Sequence, residues 1–320
     1  MAANILGQRR PLYFTLSDRN FLPRTLAMCE SLRVFDQNSD FLFIALEELT
    51  KHEALQFDII GVEVRALSSV LDSETLEILR STRSFMEFVW NLPSLILSRI
   101  LEAGGSFSDV VYLDADIFFF SSPKPIWDEV GLGRASIVRH NFSERLARIF
   151  LDSGEFNVSW VSIPNTPNGI KLSQDWTANC LDLCPDKPTL HNGRIVYGDQ
   201  KYLDYWQSDF GDLIHVIQNP GAGVAPWNFE NYNFASHPVS IDGQNVIFYH
   251  FSSHQFGFPL ARKMGTEYSK VQSAPDEIYV PYEKILKEKA RQLGLARWKS
   301  RYEPLPKRAK KYFQRLFESR

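Results

Sequence analysis

A chain of 320 residues with 44% hydrophobic and 23% charged side chains can bury a full core, as one large α/β domain with or without an appendage. No window approaches the roughly 20 apolar residues of a membrane span, the opening MAANILGQRRPLYF lacks the apolar region of a secretory signal, and Cys29, Cys180 and Cys184 read as reduced thiols. The expectation is a cytoplasmic protein. Its net charge of −3 is unevenly spread, because Lys284 to Arg320 holds thirteen Lys/Arg against three Asp/Glu, which leaves the body acidic and argues against nucleic acid as a partner.

In chain order, PLYFTL (Pro11 to Leu16) predicts a first strand, followed by a Ser-Asp-Arg-Asn turn and a helix over Phe21 to Val34. Strands follow at Phe41 to Leu46 and Ile59 to Ala66, then helices near Ser73 to Leu79 and Met86 to Ala103. Val110 to Leu113 is a short run of branched and aromatic residues, suited to a buried strand. This alternation predicts a doubly wound α/β sheet, with a ligand lying across its carboxyl strand ends. Neither GxGxxG nor GxxxxGK[ST] occurs, which disfavours dinucleotide enzymes and P-loop nucleotidases. Further strands are expected at Ala135 to Arg139, Phe156 to Ile163, Leu213 to Ile217 and Val246 to Phe251. Helices are expected at Ile126 to Val130, at Leu172 to Leu183 and from Gly198 onward. The Pro-containing tract around Ala274 to Pro281 marks a boundary between a body (1–273) and a helical basic extension (274–320).

The motif that carries chemistry is VVYLDADIFFF. Asp114 and Asp116 end a buried strand, where a carboxylate is out of place unless paired or holding a metal. Hard carboxylate oxygens there suit Mg²⁺ or Mn²⁺ held against substrate phosphates. His250 ends a second apolar run, VIFYHF, and is followed by Ser252, Ser253, His254 and Gln255, a polar cluster suited to a diphosphate. Asp199 and Gln200 stand where a loop enters a helix; Asp is a common cap there, but Gln200 has no capping need. Asn157 is a polar residue inside FNVSWVSI and requires a partner, either backbone or ligand. Trp227 and Asn228 follow a Gly/Pro loop, where an aromatic face and an amide suit a sugar as well as they suit packing. From Leu305 to Phe317 a basic helix with one apolar face fits an anionic membrane surface on the inner face of the cell membrane, or docking on the acidic body.

Taken in order, YFTLSDRNFLPRTLAMCESL, MEFVWNLPSLIL, VVYLDADIFFF, FNVSWVSI, YGDQKYLDYW, NPGAGVAPWN and VIFYHF resemble the GT-A fold glycosyltransferases, most closely the bacterial retaining galactosyltransferase and glycogenin type. The likeness runs from about Leu12 to Phe256. It implies a Rossmann-like mixed sheet and a metal-dependent, retaining transfer of sugar from a nucleoside diphosphate to an acceptor hydroxyl. It implies that Asp114, Asp116 and His250 hold the metal, with Asp114 also touching the donor ribose. It places the nucleotide on Thr15, Ser17 and Asp18, the donor sugar on Asn157, and Asp199 and Gln200 near the anomeric carbon. A lipid-linked or cell-surface glycan acceptor follows if the cell is bacterial. Relatives of this type often carry a Lys or Arg in the segment that reads WNLPS here, so a cationic donor contact has to come from elsewhere, with Arg19, Arg24 and Arg83 as choices. Two other readings stand beside it: a haloacid-dehalogenase-like phosphatase, on LDADIF, and a non-catalytic sugar-nucleotide-binding protein.

Overall fold

A computed structural model describes residues 9–257, 261–263 and 274–295. The first half alternates strand and helix as the apolar runs predict: β1 (Pro11–Ser17), α1 (Leu22–Phe35), β2 (Asp40–Ala45), α2 (Glu48–Leu55), β3 (Val62–Ala66), α3 (Ser73–Thr82), α4 (Phe85–Ala103), β4 (Asp109–Leu113) and β5 (Ile117–Phe119). Then come α5 (Lys124–Val130), β6 (Ala135–Arg139), α6 (Ala147–Ser153), β7 (Phe156–Pro164) and α7 (Pro167–Asp182). A hairpin of β8 (Thr189–His191) and β9 (Arg194–Val196) leads to a 3₁₀ turn at Gln200–Tyr205, α8 (Trp206–Phe210) and β10 (Ile214–Val216). The chain continues through β11 (Phe234–Ser236), β12 (Val239–Ile241), β13 (Gln244–Asn245), β14 (Phe248–His250) and α9 (Asp276–Gln292).

Seven strands form one sheet in the order β10-β6-β7-β4-β1-β2-β3. The pairs β4-β1, β1-β2, β2-β3 and β10-β6 are parallel, whereas β7 runs antiparallel to both neighbours, so the sheet is mixed. Alternation along β1 sorts the layers: Phe14 packs with Leu92 and Ile96 of α4, and Tyr13 with Met28 and Leu32 of α1. Helices α4 and α7 therefore cover one face, and α1, α2 and α5 the other.

Local signals explain most boundaries. Ser84 caps α4 in a reciprocal pair with Glu87, satisfying two otherwise orphaned donors. The seventh helix starts five residues before the predicted Leu172, because Thr166 accepts from the Gly169 amide and Pro167 takes the first turn. The second helix was not expected from the sequence: eight residues with only Thr50 and Ala54 buried offer too little periodicity to read. Past Gly198 the chain makes a 3₁₀ turn before α8, not one continuous helix.

A smaller layer stands beside the sheet. There β14 pairs antiparallel with β5, setting His250 opposite Ile117. Behind this ribbon lies α9, with Ile278, Tyr279, Tyr282 and Leu286 buried against Phe118, Tyr249 and Phe251. Among the described residues no helix is long and apolar enough to cross a membrane. The predicted basic helix from Leu305 to Phe317 lies outside the described residues.

Candidate active site

At the carboxyl end of β4 the chain turns through Asp114-Ala115-Asp116 into β5, and the pairing of β5 with β14 delivers His250 to the same point. The His250 Nε2 lies 3.0 Å from Asp116 Oδ1 and 3.7 Å from Asp114 Oδ2. One ligand atom from each of the three lies within 4.8 Å of the others. The Tyr112 hydroxyl donates to Asp114 Oδ1 at 2.9 Å, and the Phe251 amide donates to the Asp116 carbonyl at 2.8 Å. Tyr112 and Asp114 alternate onto one side of the strand, so this contact is local and readable from spacing of two.

Burial and mutual charge shift the three groups in different directions. Burial pushes the Asp114 carboxyl up to about 6, with Asp116 adding to the rise and His250 and the Tyr112 hydroxyl opposing it. For Asp116 burial also favours protonation, but the charge and hydrogen bond of His250, with Arg24 behind, hold it below the usual carboxylate range. His250 is raised: burial works against its charge, and the two aspartates outweigh that cost. Two carboxylates and an imidazole sharing a proton form a set that suits a divalent cation, which takes the place of that proton. The His250 Nδ1 is buried with no hydrogen-bond partner among the described residues, and the ring is held instead by the edge of Trp227 at 5.1 Å.

Asp199, at the turn before α8, lies near enough for the charge of Asp114 to act on it. It is buried, its Oδ2 meets no hydrogen-bond donor among the described residues, and its carboxyl is pushed up to about 8 by burial first and by the charge of Asp114 second. Its carbonyl accepts from the Trp176 indole at 3.0 Å, which anchors the turn to α7. The neighbouring Gln200 donates from Nε2 to the Ser153 carbonyl at 2.9 Å.

A buried wall links Trp227 back to β7. His140 stacks on Phe142 with ring centres 4.6 Å apart and meets Trp227 edge-on at 5.3 Å. Its Nδ1 faces the Gly154 carbonyl at 3.0 Å and its Nε2 faces Asn157 Nδ2 at 3.2 Å, so Nδ1 carries the proton and Nε2 accepts. Burial pushes this imidazole down to about 3, which keeps it neutral. The register shift between Ile137 and Val138 sets Val138 opposite Asn157 and makes this contact possible. His140 carried no signal in the sequence, because its partners lie on another strand and a distant loop.

Other predicted residues are occupied with structural bonds. The Thr15 hydroxyl donates to the Leu113 carbonyl at 2.7 Å, tying β1 to the residue before Asp114. Ser17 accepts from Thr25 at 2.7 Å, and Asp18 accepts from the Phe21 amide at the start of α1. Asn157 accepts from the Ser159 amide at 2.8 Å besides facing His140. Asn228 accepts from the Ala225 amide and donates to the carbonyls of His140 and Gly223, which uses its whole amide. Ser253 takes a left-handed conformation (φ 57°) in the turn after β14, and His254 turns away onto Glu283 at 3.0 Å. The three arginines also separate: Arg19 pairs with Glu53, Arg83 donates to the carbonyls of Leu181 and Asp182, and only Arg24 is buried where its charge reaches Asp116.

No protein-family model matches the chain. Two proteins of Bacillus subtilis (strain 168), both named as uncharacterized, are similar over most of their length. YfnF is 29% identical over 256 residues, 76% of this chain and 81% of its own. YfnD is 28% identical over 280 residues, 84% of this chain and 86% of its own. Among solved structures, the apo form of the bifunctional glycosyltransferase WbbM superposes on 90% of this chain with a TM-score of 0.52 and 13% identity. This chain spans about half of WbbM, 51% of its length. The fold is GT-A. In this mixed sheet Asp114 follows the fourth strand in chain order, not the first.

Proposed function

We propose that this protein is a divalent-metal-dependent glycosyltransferase that moves a sugar from a nucleoside diphosphate to an acceptor hydroxyl with retention of anomeric configuration. The observation that carries the reading is the meeting of Asp114, Asp116 and His250 at the end of β4, with buried Asp199 beside them. Asp114, Asp116 and His250 would hold the ion; with an imidazole among the donors, Mn²⁺ fits the set better than Mg²⁺. When bound, the ion supplies the positive charge that a departing diphosphate requires, usually the largest catalytic contribution at such a site.

The chain's own groups do the rest. Asp199, raised to about 8 by burial first and the charge of Asp114 second, presents a mainly neutral carboxyl to the sugar at neutral pH. In the retaining course a leaving phosphate oxygen takes the acceptor proton, so no strong general base is required. Gln200 is fixed by Ser153, so the turn offers a rigid boundary to the sugar face. Thr15 and Ser17 brace the strand end on which the nucleotide would rest. Trp227, enclosed between His140 and His250, keeps water from the ligand imidazole and leaves acceptor recognition to the residues around it. The basic segment beyond Leu305 would bring this cytoplasmic enzyme to an anionic membrane surface bearing a lipid-linked or cell-surface glycan acceptor.

The test is a thermal-shift panel of nucleotide sugars with and without Mn²⁺, followed by donor hydrolysis and transfer with the donor that binds. One donor is expected to raise Tm only when Mn²⁺ is present. A panel in which no sugar nucleotide stabilises the protein sinks the proposal, and binding without turnover makes it a sugar-nucleotide-binding protein. An inverted product by NMR removes the retaining course alone.

A further inference from the structure

The segment that carries His250 is gripped from behind by a helix the catalytic reading does not use. Five apolar side chains of α9, Ile278, Tyr279, Tyr282, Leu286 and Ala290, are buried, and so are two charged ones, Glu283 and Lys289. Each charged group has a partner on another element: Glu283 takes His254 at 3.0 Å, and Lys289 takes Glu30 of α1. Burying a carboxylate costs free energy that apolar packing alone would avoid. A buried polar contact with a fixed partner at this place therefore fixes a register more than it adds adhesion.

The register is that of the loop following β14. The His254 imidazole lies against Tyr279 at 5.6 Å and 26°, its amide donates to the Phe251 carbonyl at 3.0 Å, and its own carbonyl accepts from Arg24 Nη2 at 3.0 Å. Phe251 stacks on Tyr282 with ring centres 3.8 Å apart, while its amide donates to the Asp116 carbonyl. The guanidinium of Arg24 lies over Phe21 at 4.7 Å and is buried between α1, this loop and Asp116. Two adjacent residues thus face opposite duties: His250 offers a ring nitrogen to the cluster, and Phe251 holds the backbone of Asp116.

We infer that Arg24, His254 and Glu283 form a buried positioning chain through which α9 fixes the Asp116–His250 pair in ion-binding geometry. The inference rests on the metal-site reading above. It makes α9 part of the site, and it gives His254 a supporting role through Glu283 in place of a donor contact. Groups that orient a metal ligand from behind typically cost ten- to a hundredfold in metal affinity when removed.

The full-length chain carries the test, with Mn²⁺ affinity by calorimetry and amide hydrogen exchange without ion as two readouts. Glu283→Ala is expected to weaken Mn²⁺ binding about tenfold and to lose protection at the Phe251 and His254 amides. Glu283→Gln, whose carbonyl still accepts from His254, is expected to restore both. Lys289→Ala, at the far end of the helix, is expected to lower Tm without moving Mn²⁺ affinity. Arg24→Met, which keeps the buried stem, serves where Glu283→Ala does not fold. Wild-type affinity and wild-type protection in Glu283→Ala overturn the inference, as do equal losses in all these variants that follow the fall in Tm. A wild-type chain that binds no Mn²⁺ sinks the metal reading; amide protection then decides the positioning chain by itself.

Discussion

Two turns bring carboxylates to the same place and treat them oppositely. At the β4–β5 turn, Asp116 meets His250 at 3.0 Å and is held ionised. At the turn before α8, Asp199 meets no donor on Oδ2 and is held protonated. Both are withdrawn from water, so burial by itself does not set the charge state. A cationic partner does. One residue type thus stands as an anion at one turn and as a mainly neutral carboxyl at the other.

The largest expected effect breaks the first turn. Asp116→Asn should remove the principal ionic ligand and lower transfer by about a hundredfold or more, about 3 kcal/mol of barrier. Steady-state rates and the loss of the Mn²⁺-dependent Tm rise check it. The next sharpens the second turn through pH. The folded pKa of Asp199 is about 8 against about 3.9 unfolded, so the folded state binds the extra proton between these values. Stability should therefore fall as pH rises from about 4 to about 8, by up to about 1.4 kcal/mol per unit, and level off above. Asp199→Asn should reduce that slope, most clearly between pH 6.5 and 8, above the fall that Asp114 adds below about 6, as denaturant titrations at pH 5, 6.5 and 8 would show; an unchanged slope means Asp199 ionises freely. The smallest effect concerns the brace between the turns. Thr15→Val removes one hydroxyl donated to Leu113 and should cost about 1 kcal/mol of stability with donor affinity unmoved. Weakened donor binding would return Thr15 to direct nucleotide contact.

The contrast between the turns also shows what a sequence carries. Asp114, Asp116 and His250 were readable because carboxylates and an imidazole ending apolar strands have no packing role there. The sheet was readable from β1, β4 and β7, which are largely apolar runs buried along nearly their whole length. The protonation of Asp199 was not readable, because it depends first on burial and second on the charge of Asp114, both supplied only by folding. His140 was silent in the same way: its neutrality follows from burial, which outweighs the opposing pull of the Gly154 carbonyl, and its neighbours Asn157 and Trp227 come together only in the fold. Arg24 could be named but not ranked above Arg19 or Arg83, since all three look alike until Glu53 and the Leu181 carbonyl claim the other two.

The pairing of β14 with β5 has a consequence for the order in which this protein is made. Asp114 and Asp116 leave the ribosome long before His250, so a nascent chain holds the two carboxylates with Arg24 as a counter-charge but without the imidazole. His250 joins them only when β14 pairs with β5 and closes the long loop between Phe119 and Phe248. The three-residue cluster is therefore completed late in synthesis, and a truncated chain ending before Phe248 carries the motif without the cluster.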